Sequence, residues 1–250
     1  MPGMRLHLTT ARDLAGEMDL PLLDEQRGAF YLGATTPDIR ALTRWDRERT
    51  HFFKLDDFSE QDGVHRLLEE EPSLRDPGAL DRPTAAFMAG YISHLVLDED
   101  YICQIYRPMF GERSALSGDE LADVMDKALQ WDIERADCED TAKLDEIRRA
   151  LAEAAVEINI DFIAHESLAQ WREISAGAMS DRPTVERLVR FLARRLPSLR
   201  FDDEAQVTQF AERIPALLER TWEHVGPERV RTYLHDTRAR ARTAMKEYLS

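Results

Sequence analysis

Between Ala86 and Glu99 an imidazole and a carboxylate, His94 and Asp98, stand one helical turn apart. Residues four apart share a helix face, so this pair can grip one cation between them or form a buried hydrogen-bonded pair. Gly90, one turn before His94, leaves room for a ligand, a metal or a neighbouring chain segment to come close. A glycine inside a helix costs about 1 kcal/mol relative to alanine, so its presence asks for a reason. Further donors lie upstream. Asp38 stands directly before a helix, where a cap is also expected. His51 sits between Thr50 and two phenylalanines, and His7 just before the first helix cap. Together Asp38, His51, His94 and Asp98 offer two imidazoles and two carboxylates, a set suited to Zn²⁺ in a hydrolytic site. Such a metal brings the pKa of bound water towards ~7, which is what hydrolysis of a phosphodiester or similar ester requires.

The stretches His7 to Arg12, Phe30 to Asp38 (with Gly-x-x-x-Pro-Asp from Gly33), Arg49 to Phe52 (Thr-His-Phe) and Phe87 to Asp98 (His-x-x-x-Asp) occur in that order. In this combination the chain resembles the zinc-dependent phospholipase C family, which is similar to the fungal zinc single-strand nucleases. The likeness covers about the first 110 residues in detail. It implies an all-helical fold and metal ligation by His7, Asp38, His51, His94 and Asp98. Asp98 would bridge two of one to three zinc ions (another divalent metal would also serve), and Asp38 and Asp98 are the candidate catalytic carboxylates. It further implies metal-activated hydroxide attacking a phosphodiester, with a phospholipid or small phosphate ester as substrate.

The chain departs from that pattern downstream. Gln104 and Arg107 stand where a further histidine is expected, and His165 is followed four residues later by Ala169. Asp132, Glu134 and Asp137 are the carboxylates available to complete the remaining sites. The rival expectation is a non-catalytic helical protein keeping one structural or vestigial metal. A histidine–aspartate phosphohydrolase needs an aspartate after His235-Asp236, and none follows. No P-loop or dinucleotide fingerprint occurs.

These donors need elements to position them. The sequence predicts a helix from the Thr9-Thr10 cap to about Met18. A second runs from Asp24 to Gly33, then a loop to Pro37, and a third helix covers Ile39 to Arg49 with His51 beyond its end. A helix over 57–71, a loop over 72–83 and a central helix from Thr84 to Tyr106 follow. Further helices are expected from Gly118 to Ala136, along the apolar run from Leu144 to Trp171 (one helix or two in line), and over 184–196, 203–224 and 228–248. No run sustains period-two alternation, so the expectation is all-α, one domain over 1–250. The arginine-rich last helix reads as a solvated face pairing with acidic residues of the same chain.

The net charge of −15 argues against general nucleic-acid binding and against docking on anionic membranes. No stretch approaches the ~18 apolar residues of a membrane span, so no stable membrane insertion is expected. Cys103 and Cys138 lack CxxC spacing and read as free thiols in a reducing compartment; with no signal-like apolar run at the start, the expectation is cytoplasmic.

Overall fold

A computed structural model describes residues 2–119, 121–137, 139–181, 183–196, 199, 201 and 203–250, without the side chains of Asp137 and Arg195. Cys138 lies outside the described residues. Among those described there is no strand, and the chain is all-α. Its elements are α1 (Met4–Met18), α2 (Pro21–Glu25), α3 (Arg27–Gly33), a 3-10 turn (Thr36–Ile39), α4 (Arg40–Thr43), α5 (Glu48–His51), α6 (Gly63–Glu70), α7 (Arg82–Tyr101), a π-helical turn (Ile102–Tyr106), α8 (Arg107–Met109), α9 (Ala122–Asp137), α10 (Thr141–Ala152), α11 (His165–Ser180), α12 (Val185–Arg195), α13 (Glu204–Val225) and α14 (Pro227–Leu249). No helix among the described residues is long and apolar enough to cross a membrane.

The chain falls into two compact units, with boundaries inside α7 and α14. The larger unit holds Pro2–Glu99, Asp140–Asp181 and Asp236–Ser250. Its axis is α7, buried on every side from Thr84 to Asp98. A helix enclosed all round must be apolar all round, so the few polar side chains it carries need internal partners. Gly33 and Gly90 explain how α3 reaches it. A Cβ on Gly90 would stand 2.0 Å from the Phe30 carbonyl oxygen, and one on Gly33 1.9 Å from that of Phe87. The two backbones therefore touch directly, and the chain segment that comes close to Gly90 is α3. Gly28 does the same for α3 against α10, with a Cβ 2.4 Å from the Ala150 carbonyl.

Several expected boundaries shift. α1 begins at Met4, so His7 lies within its first turns rather than before its cap. The third expected helix is two short ones, α4 and α5, because Arg44 turns into the left-handed region (φ 63°) after Thr43. The long run from Leu144 to Trp171 is two helices, α10 and α11, packed against each other rather than in line, with irregular chain between them. Arg238 of α14 pairs with Asp13 and Glu17, and Arg242 with Glu17, so part of that basic helix meets acidic residues of α1.

The smaller unit spans Asp100–Glu139 and Arg182–His235. Tyr101, Ile105, Met125, Leu129 and Tyr233 form one core cluster there, and Val189, Leu192, Phe210 and Ile214 belong to another.

Candidate metal centre

The larger unit brings all five candidate ligands together from four elements. α7 presents His94 and Asp98 on one face, as their spacing requires. α1 lays His7 flat against His94, the rings stacked with centroids 3.7 Å apart and 8° between planes. α5 ends at His51, whose ring meets His94 edge-on at 5.3 Å. The 3-10 turn delivers Asp38. That turn is anchored from α11: Trp171 Nε1 donates to the Thr35 carbonyl at 3.1 Å, and Thr36 Oγ1 donates back to Leu32 at 2.7 Å.

The separations are those of donors close enough to share an ion. His51 Nε2 is 3.1 Å from Asp98 Oδ2 and 3.7 Å from Asp38 Oδ1. His7 Nε2 is 3.4 Å from Asp98 Oδ1, and His94 Nε2 is 3.9 Å from Asp98 Oδ2. Bonds of about 2.0–2.1 Å to a tetrahedral zinc put donors about 3.3 Å apart, near the middle of that range. Two sets emerge, His7 with His94 and Asp98, and Asp38 with His51 and His94; within each, donor atoms lie within 4.8 Å of one another. His7, His51, His94 and Asp98 are buried, whereas the Asp38 side chain is 25% exposed.

His94 carries the clearest signature. Its Nδ1 lies 2.8 Å from the Ala34 carbonyl oxygen, which only accepts, so Nδ1 bears the hydrogen and Nε2 the lone pair. Burial, and then neighbouring His7, hold the His94 pKa well below its ordinary value, so the ring is neutral. A buried lone pair thus faces a carboxylate with no hydrogen between them. A backbone carbonyl fixing the tautomer of a ligating histidine is the usual outer support of a metal site. His7 Nε2, His51 Nε2, His94 Nε2 and Asp98 Oδ1 are all buried without a hydrogen-bond partner. Each unsatisfied polar group costs about 1–3 kcal/mol, and a cation removes that cost for the atoms of the set it occupies. The residues fit a divalent ion.

His51 is tuned in the same direction. Burial and then Arg47 lower its pKa, and its Nδ1 sits 3.1 Å from Thr50 Oγ1. Tyr91 of α7 donates to the Thr50 carbonyl at 2.5 Å, tying the end of α5 to the central helix. Phe52, directly after His51, takes a left-handed φ of 54°, a conformation costing a non-glycine residue roughly 1–2 kcal/mol. Its buried ring, edge-on to Phe162 at 6.0 Å, holds it there. Burial pushes the Asp98 carboxyl up, but the imidazoles of His51 and His7 close to its oxygens, then nearby His94 and Arg47, bring it well below the ordinary carboxylate value. Asp98 is an anion.

Arg47 is the functional residue that sequence reasoning missed. Its Nη2 donates to Asp98 Oδ2 at 2.7 Å, and its side chain is only 12% exposed. The signal was its spacing, four residues before His51, which aims both side chains at Asp98. His65 and Glu69 repeat the His-x-x-x-acid spacing on α6, but they form an exposed pair at 3.2 Å outside the cluster. The suggested supplementary donors go elsewhere. His165 Nε2 faces the Ile158 carbonyl at 3.0 Å, and Asp132, in the smaller unit, accepts from Trp222 and Arg135. Glu134 belongs to neither donor set, and the Asp137 side chain lies outside the described residues. A cleft of about 540 Å³ between the start of α3 and α10 is lined by Arg27, Gly28, Glu146 and Arg149 among others, and includes none of the cluster. No known family model, curated protein or solved structure matches this chain.

Proposed function

We propose that the cluster binds a divalent metal, zinc by its donor chemistry, and that the protein is a metal-dependent hydrolase of phosphodiesters. The observation that carries this reading is the convergence of three unpartnered imidazole nitrogens on the ionised, buried Asp98. The motif order that resembles zinc-dependent phospholipase C supports it. A bound zinc would supply Lewis acidity and a water of lowered pKa. The chain supplies the rest. His94, oriented by the Ala34 carbonyl, and His51, oriented by Thr50, give ligands of fixed direction. Asp38, the most exposed donor, marks the side open to solvent. Asp38 and Asp98 together balance a divalent ion, so the charge of Arg47 remains in excess at the centre and favours an anionic substrate such as a phosphodiester.

The second reading is a structural metal without catalysis. It is favoured by the burial of His7, His51, His94 and Asp98, since catalytic sites keep a coordination position open. Hydrolysis of bis(p-nitrophenyl) phosphate by the full chain separates the two. The hydrolase reading expects activity that a chelator abolishes, zinc restores, and Asp38→Asn lowers at least tenfold. Zinc bound tightly, with hydrolysis no faster than buffer, would leave the structural reading standing.

A further inference from the structure

Arg47 and His94 together limit how many ions the centre can hold. His94 belongs to both donor sets, yet it has one lone pair to give, because Nδ1 is committed to the Ala34 carbonyl. Whichever ion takes Nε2 leaves the other set with two protein donors, so a second ion depends on what Asp98 can add. Asp98, the residue expected to bridge two metals, already has a cation on one oxygen, the guanidinium of Arg47 at 2.7 Å. Arginine is charged at every relevant pH, and Arg47 is mostly enclosed, so its field is felt at short range. A second divalent ion on Asp98 would sit against that charge with only His7, or His51 and Asp38, in support.

We infer that the centre is mononuclear and that Arg47 stands in for a second metal, orienting Asp98 and supplying the positive charge a neighbouring ion would. The inference rests on the metal-binding reading above and concerns the number of ions, not the reaction. It assigns Arg47 a positioning role on Asp98, in a place where a metal-ligand search does not look because arginine has no lone pair to offer.

Zinc titration of the chelator-stripped full chain by calorimetry, with elemental analysis after desalting, tests it. The wild type should saturate at one equivalent. Arg47→Met, which removes the charge and frees Asp98 Oδ2, should admit a second equivalent, whereas Arg47→Lys should remain at one. His94→Ala, lacking the shared ligand, should retain none. Two or more equivalents in the wild type would overturn the inference, as would a folded R47M that stays at one. If far-UV circular dichroism shows R47M unfolded, Arg47→Gln carries the same test with polarity kept. No zinc in the wild type would overturn the metal reading and this inference with it, whereas one equivalent without hydrolysis leaves this inference intact.

Discussion

Asp98 in the larger unit and Asp126 in the smaller are both buried carboxylates held below their ordinary pKa, yet their surroundings differ in kind. Asp126 is complete. Tyr101 donates to one oxygen at 2.7 Å, while Gln130 and Lys127 donate to the other at 2.7 and 2.9 Å. Every neighbour is a donor, and nothing further is needed. Asp98 has Arg47 on one oxygen and otherwise faces imidazoles, of which at least His94 turns a lone pair toward it. A satisfied buried carboxylate stabilises a core, and one that faces a buried imidazole lone pair calls for a cation.

The sharpest way to break this contrast is to remove each charge in turn. Asp98→Asn should weaken zinc binding by more than about 100-fold, beyond the range seen for outer-shell changes, because a ligand itself is altered. Asp126→Asn should leave zinc binding unchanged in the same calorimetric titration and lower unfolding stability by about 1–3 kcal/mol. Equal effects of the two on zinc would erase the distinction.

The frame beneath Asp98 makes the next largest prediction. Gly90→Ala drives a Cβ into the Phe30 carbonyl and should cost about 3 kcal/mol or more in urea unfolding, since backbone cannot swing aside. Gly177→Ala, on exposed α11 surface with nothing within 4 Å, should gain up to about 1 kcal/mol.

Acid unfolding sharpens the comparison from the other side. The Asp126 pKa is depressed on folding, so its contribution is full above its ordinary value of 3.8 and is lost as pH falls through the folded value. Stability measured below that ordinary value should therefore fall less steeply in Asp126→Asn than in the wild type. A parallel loss in both proteins would show that Asp126 carries no such linkage. The smallest expected change is Tyr91→Phe. Loss of its bond to Thr50 should cost about 1 kcal/mol and loosen zinc by about tenfold through His51.

Much of the centre was legible because helical spacing is a strong constraint. His94 and Asp98 had to share a face once α7 was recognised, and Gly90 announced a close approach before its partner was known. The all-α class followed from the absence of alternation. What escaped notice depended on tertiary contact. α4 and α5 are too short to show a period, so a single helix expected over Ile39 to Arg49 left His51 beyond its end and hid the four-residue spacing from Arg47. The Ala34 carbonyl that sets the His94 tautomer is a backbone atom and leaves no mark in side-chain pattern. His7 looked like the end of a chain because Thr10 and Asp13 resemble a cap, but tertiary burial of Leu6 and Leu8 extends α1 upstream to Met4.

Zinc K-edge X-ray absorption on the full chain loaded with one equivalent tests the central claim most directly. The cluster predicts nitrogen and oxygen donors at about 2.0–2.1 Å, outer-shell scattering from at least two imidazoles, and loss of bound zinc in His94→Ala. A spectrum dominated by sulfur at about 2.3 Å, or zinc retained unchanged in His94→Ala, would contradict it.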